Sequence, residues 1–238
     1  IMAQSAEFIG LFYFMKGLFH EAMQHLDYCE NRIDTNGEMS QPISFILFSY
    51  SAIHLGQFHR AIGFLDANLR LAESRGNTAL SSLYRSILGT TLVLVKKYHE
   101  AEFHLKKARQ DALDTNNAIG YHYANGGLAH LHFMQGNLKQ SLEIANDTID
   151  KAAQAGIVQQ FASPWIMEVL YEFHRLRLRG ASPHWDFQEI LDMTLNGINI
   201  HLRGVALRLK ACQAMDRGEK DRSMILPDLE ASRKCLEL

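Results

Sequence analysis

Residues 85–109 read R-S-I-L-G-T-T-L-V-L-V-K-K-Y-H-E-A-E-F-H-L-K-K-A-R. Leu88, Gly89 and Leu92 precede a break at Lys96–Lys97. Tyr98, Ala101, Leu105 and Ala108 follow at spacings of three and four, which is one face of a helix. The pattern predicts two helices folded back on each other. Gly89 and Ala101 are small where two helices must approach, and Tyr98 and Leu105 are large where a gap must be filled.

The pattern recurs. Upstream it is Gly10, Gly17, Phe19, Ala22, Leu26, Cys29, then Ser49, Gly56, Phe58, Ala61, Leu65, Asn68. Downstream it is Ala129, Gly136, Leu138, Ser141, Ala145, Thr148. The residues that open each second helix, at 19, 58, 98 and 138, are separated by 39, 40 and 40 positions. Four units in one register indicate a repeat architecture. Asn36-Gly37, Arg75-Gly76-Asn77, Asp114–Asn117 and Gly156 supply the turns between units. Pro42 suits the first turn of the second unit, where its missing N–H is not needed.

Leu88-Gly89, Tyr98, Ala101, Leu105 and Ala108 resemble the tetratricopeptide repeat, TPR, and the resemblance covers residues 4–155. Lys96 departs from the family's turn glycine, which Gly17, Gly56 and Gly136 supply elsewhere. The usual unit is ~34 residues, so these are longer, similar to the MalT-like TPR regions of bacterial transcription activators and signalling ATPases. The resemblance implies an all-α fold, a right-handed α-solenoid of about six helix pairs over residues 1–238. Regular repeats would fill 4–155 and irregular ones 156–238. In the irregular part, Val158 to Arg179 and Trp185 to Asn196 should be helical, as should Ile198 to Arg217 and Pro227 to Leu238. Ile1 and the helical stretch at Ser232–Leu238 read as the cut ends of a segment from a longer protein.

The 24 basic and 26 acidic side chains leave a formal net charge of −2. That balance argues against a nucleic-acid footprint. Arg175, Arg177 and Arg179 form a local basic cluster, read as a solvated helix end. Cys29, Cys212 and Cys235 have no metal or redox spacing. Cys29 falls on a small core position, and so sparse a set suits a reducing cytoplasm. No apolar run approaches the ~18 residues of a membrane span, and no signal peptide is visible.

Twelve histidines invite a metal. His20 and His25 are five apart, as are His99 and His104, which puts each pair ~140° apart on a helix, too far round to grip one ion. The spacing belongs to the repeat. No phosphate loop, nucleophile elbow or convergent catalytic set appears, so no enzyme, cofactor or metal is expected. Gly126-Gly127 inside a predicted helix reads either as close helix packing or as room for a ligand backbone. Trp165 and Trp185 either plug an irregular junction or anchor a partner.

The resemblance implies that first helices line a concave groove where partners bind. One row across it is Leu11, Tyr50, Thr90 and His130. A second is Glu7, Ile46, Ser86 and Gly126. A third is Phe14, Ile53, Val93 and Phe133, with Tyr123 at the edge. The expected partner-binding residues are Tyr50, Ile53, Ser86, Thr90, Tyr123, His130 and Phe133, with the first row open rather than buried. These rows are apolar and aromatic, so they suit an apolar or helical protein segment better than an acidic tail. A sixth-repeat helix or a second copy of the chain would be the other way to fill the wall. The expected function is a non-catalytic interaction module in a bacterial regulator, sensing or holding a protein partner. The alternative is a sensor that binds a small ligand near Tyr50, Thr90, Tyr123 and His130. A deep enclosed pocket would favour the ligand, and a channel more than ~10 Å wide, about one helix diameter, would favour the protein.

Overall fold

The computed structural model describes residues 2–27, 42–154, 164–175, 187–219 and 221–237, with backbone alone at 2–5, 42, 152–153 and 164–168. Twelve α-helices run through the described residues, and no strand occurs among them. They pair in chain order. The regular pairs are α1 (Met2–Lys16) with α2 (Phe19–Leu26), α3 (Pro42–His54) with α4 (Phe58–Ser74), α5 (Thr78–Leu94) with α6 (Tyr98–Asp114), and α7 (Ala118–Met134) with α8 (Leu138–Gln154). The later pairs are α9 (Pro164–Arg175) with α10 (Phe187–Leu195) and α11 (Ile200–Asp216) with α12 (Arg222–Leu236). The architecture is an α-solenoid.

The turns show why these residues form hairpins. Gly17, Gly56, Lys96, Gly136 and Gly218 all have left-handed backbone. At each, two N–H groups close the preceding helix. Lys96 N–H donates to the Val93 carbonyl at 3.0 Å and Lys97 N–H to the Leu92 carbonyl at 2.9 Å. This satisfies carbonyls that a helix end otherwise leaves unpaired. Gly76 and Asn116 repeat the device between pairs. Asn77 and Asn117 then cap α5 and α7, accepting from Leu80 N–H at 3.1 Å and Gly120 N–H at 3.0 Å. Among the described residues Lys96 is the one non-glycine at a turn inside a pair, with φ at 62°. Lys96→Gly should raise stability by about 1 kcal/mol, since a side chain is disfavoured there by that order. An unchanged or lower urea midpoint would refute the strain.

Packing within a pair follows the small–large pattern. Ala22, Ala61, Ala101 and Ser141 are each 0% exposed, as are Leu26, Leu65 and Leu105, which decides that these second-helix faces point into the core. A carbon added at Gly89 would stand 2.6 Å from Leu105 Cγ, and one at Gly10 would stand 2.8 Å from Leu26 Cγ. Only glycine lets these helices meet. Ser141 keeps the register because its hydroxyl donates to the Ala129 carbonyl at 2.6 Å, so no buried polar atom is left over. Gly127 plays the same role between pairs: a carbon there would lie 2.5 Å from Leu105 Cδ2 and 2.6 Å from Thr90 Oγ1. Of the two readings of Gly126-Gly127, close packing is the one found at Gly127.

The later pairs depart from the regular pattern. Tyr171, Phe187, Leu191, Val205, Ala206 and Leu209 build a core of their own, while Val169 and Phe173 extend the α7–α8 core at Ala129 and Ala145. Helix α12 begins at Arg222, not at Pro227 as expected. Asp221 caps it by accepting from Ser223 N–H at 2.9 Å, and Pro227 sits inside the helix. Cys29, Asn36-Gly37, Gly156, Arg177, Arg179 and Trp185 lie outside the described residues, as does the Trp165 side chain.

The stack also bends until its sixth pair meets its first. Asn199, the N-cap of α11, and His201 abut Gly17. A carbon added at Gly17 would stand 2.5 Å from Asn199 Oδ1 and 2.7 Å from His201 N. The His201 ring then reaches Phe19 at 5.1 Å and His54 at 4.7 Å between centroids.

Candidate partner-binding crevice

The first helices carry a run of aromatic rings. Phe14 on α1 lies 6.4 Å from Tyr50 on α3, and Tyr50 lies 6.1 Å from Tyr123 on α7. Tyr50 and Tyr123 thus meet across α5, two repeats apart. Phe14 also touches Phe19 at 5.5 Å, and Phe19 stacks on His54 at 4.3 Å with nearly parallel rings. The run continues to His201, so α1, α2, α3, α7 and α11 all contribute. His54 follows Tyr50 by one helical turn and was legible as the same face. His201 was not, because its neighbours lie at the far end of the sequence, in the first two repeats.

The structure divides the seven expected residues. Tyr50, Tyr123 and Phe133 retain some exposure, and the first two are brought together. Phe133 turns towards the cluster of Ala129, Ala145, Val169 and Phe173. Ile53, Ser86, Thr90 and His130 are buried, at 4%, 0%, 5% and 4% exposure, so they offer a partner almost no surface. The expectation of an open Tyr50–Thr90–His130 row is therefore corrected at Thr90 and His130. The cause is Gly127, which brings α7 so close to α5 that Thr90 lies in the contact between them. The hydroxyls of Ser86 and Thr90 are also already used. They donate to the Ser82 and Ser86 carbonyls, at 2.8 and 2.9 Å.

The crevice is electrically quiet. Burial, reinforced by the neighbouring Tyr123, pushes the Tyr50 phenol well up, and burial raises Tyr123 too. Both are neutral donors at ordinary pH. Tyr50 keeps some accessible surface yet behaves as a shielded group, with the Phe14 and Tyr123 rings packed beside it. Burial lowers His54 to about 3, helped by His201, and lowers His201 and His130 to about 4 each. These rings are neutral as well. Among the described residues no group of three or more His, Cys, Asp or Glu could hold a metal ion. None of their helices is long and apolar enough to cross a membrane.

A cavity of about 370 Å³ lies where the α6–α7 turn meets the end of α8, with Asn117, Tyr121, Thr148 and Lys151 in its wall. Its polar groups answer one another. Tyr121 OH donates to Asp147 at 2.6 Å, Asn125 donates to the same carboxylate at 3.1 Å, and Lys151 donates to Tyr121 OH at 2.7 Å. Burial would raise Asp147, but the bonds from Tyr121 and Lys151 outweigh it and hold the carboxylate low. No charge is left for a ligand to neutralise.

No family model matches the chain, and no curated protein matches it. Solved structures do. One is the crystal structure of a Podosopora anserina protein described as a kinesin light chain with nearly identical TPR-like repeats. It superposes with a TM-score of 0.51 at 13% identity, over 98% of this chain and 93% of that one. A point variant of the same protein gives the same values. At that identity the likeness is one of fold: this chain is similar to TPR-like repeat proteins in architecture.

Proposed function

We propose that the chain is a non-catalytic protein-interaction module that takes apolar side chains of a partner segment into the crevice at Tyr50 and Tyr123. The observation that carries this reading is the aromatic pair Tyr50–Tyr123, which keeps accessible surface above buried Phe14. Rings with a polar tip suit a partner's apolar side chains and its backbone together. The long repeat unit and its likeness to MalT-like regions support a place in a cytoplasmic bacterial transcription or signalling regulator.

The test is capture of partners from the native host's lysate by the wild type and by Tyr50→Ala/Tyr123→Ala, with helicity checked by circular dichroism. Each truncation should weaken capture by roughly 1–2 kcal/mol, about five- to thirtyfold. Equal capture by a folded double variant would sink the crevice assignment. The two shielded, neutral phenols favour one further reading, a small neutral ligand held at Tyr50 and Tyr123. A rise in melting temperature with a metabolite panel, abolished by the same double variant, would select it.

A further inference from the structure

Helix α11 packs against α9, α10 and α12, but only slightly against α1, α2 and α3. The slight contact is the one that Asn199 and His201 make with Gly17, Phe19 and His54. Behind it, Tyr171, Phe187, Leu191 and Leu209 tie α9, α10 and α11 together through their own core. Helix α12 goes with them, because the Ser232 hydroxyl donates to the Gly204 carbonyl of α11 at 2.7 Å. That core meets the α7–α8 core on α9, where Leu170 packs against both. Helices α9–α12 can therefore swing about α9 as one body. The swing breaks the contact with the first pair and leaves both cores filled.

The contact holds two half-buried imidazoles, His54 and His201, 4.7 Å apart between centroids. Both also touch the Phe19 ring, at 4.3 Å and 5.1 Å. A phenyl face attracts a cation, but burial outweighs it here. Burial lowers His201 to about 4, and burial with the adjacent His201 lowers His54 to about 3. The other titratable groups beside the contact in sequence are Lys16 on α1, His20 and Glu21 on α2, and Arg203 on α11. Lys16 sits over the Phe12 ring at 4.7 Å, and His20 is exposed. None of the four moves His201, whose shift is due to burial. Once α11 swings away, water reaches both rings and they return to about 6.5. The closed contact thus binds protons less readily than the open one. It is fully held above about pH 6.5 and weakens as pH falls towards 4.

We propose that this contact is a proton-operated latch: a proton taken from water by His201, then one by His54, releases α9–α12 from the first three helices and opens the stack while its helices stay folded. Opening breaks one small contact, so it precedes unfolding. His130 differs, because at 4% exposure inside α7 it meets water only when the repeats come apart. Each latch ring should raise the opening constant about tenfold for every pH unit below 6.5, down to its folded value. The latch uses neither Tyr50 nor Tyr123 and does not depend on the crevice reading.

The experiment is small-angle X-ray scattering on the full chain from pH 7.5 to 4.5, with helicity followed by circular dichroism at each step. Wild type should expand as the pH falls while its helicity holds. His201→Phe keeps a ring against Phe19 without a titrating nitrogen, so it should open at lower pH and with a shallower dependence. His54→Phe/His201→Phe should stay compact at the pH where wild type opens. His201→Lys places a permanent charge in the contact and should be open at pH 7.5. A wild type whose dimensions do not change before its helicity falls overturns the proposal, because the expansion is then unfolding. So does a folded double phenylalanine variant that opens at the same pH as wild type. A folded His201→Lys variant as compact as wild type at pH 7.5 overturns it as well.

Discussion

Acidification from pH 7 to about pH 4.5 should strip several kcal/mol from the stability of this chain. The agents are His54, His130 and His201, whose folded values fall to about 3, 4 and 4. An unfolded histidine titrates near 6.5. The folded form therefore binds the proton less readily than the unfolded one. The stability tied to keeping these rings neutral is complete above about pH 6.5 and drains away as pH falls towards 4. For buried His130 alone the shift corresponds to roughly 3 kcal/mol. His54 and His201 lie 4.7 Å apart, so charging one also resists charging the other. Urea midpoints at the two pH values check this, with His130→Gln as a variant whose acid slope should be shallower. Equal midpoints for wild type at both values would show that the rings are solvated rather than buried.

The second large effect is expected at Leu105. This side chain is 0% exposed and lies against Gly89 of its own pair and Gly127 of the next. Leu105→Ala should cost about 2–5 kcal/mol, because both glycines lack atoms that could move into the hole. Loss at one site should loosen two interfaces at once. Urea unfolding followed by circular dichroism measures it, and a cost under about 1 kcal/mol would mean that the helices close the gap.

The repeat register was legible because its signals are local. Gly17, Gly56 and Gly136 mark turns by their own backbone freedom, and Ala22, Ala61 and Ala101 mark contacts by their own size. Lys96 falls at its turn only because its neighbours are in register, since nothing in lysine itself favours a left-handed backbone. The groove was less legible. Register says that Tyr50, Thr90 and His130 share a helix face, but not how far each pair rotates on the last. Those small rotations add up, and they bring Tyr50 onto Tyr123 while sealing Thr90 behind Gly127. Pro227 misleads for a different reason. It suits the first turn of a helix, although Asp221 two residues before Ser223 is the stronger signal, an oxygen placed to accept an early N–H.

The contact of Asn199 and His201 with Gly17, Phe19 and His54 changes what kind of object the solenoid is. A linear array has two free boundaries, and it frays from them because each terminal unit has a single neighbour. Here the α11–α12 pair also leans on the α1–α2 pair, so units far apart in the stack are tied across a seam as well as along the chain. A disturbance in one unit can then travel to another by two routes, along the backbone order or across the seam. The seam is made of aromatic rings and two uncharged imidazoles, so its strength is set by the medium rather than by the covalent chain. Communication between remote units thus acquires a component that solvent conditions can tune without touching any repeat.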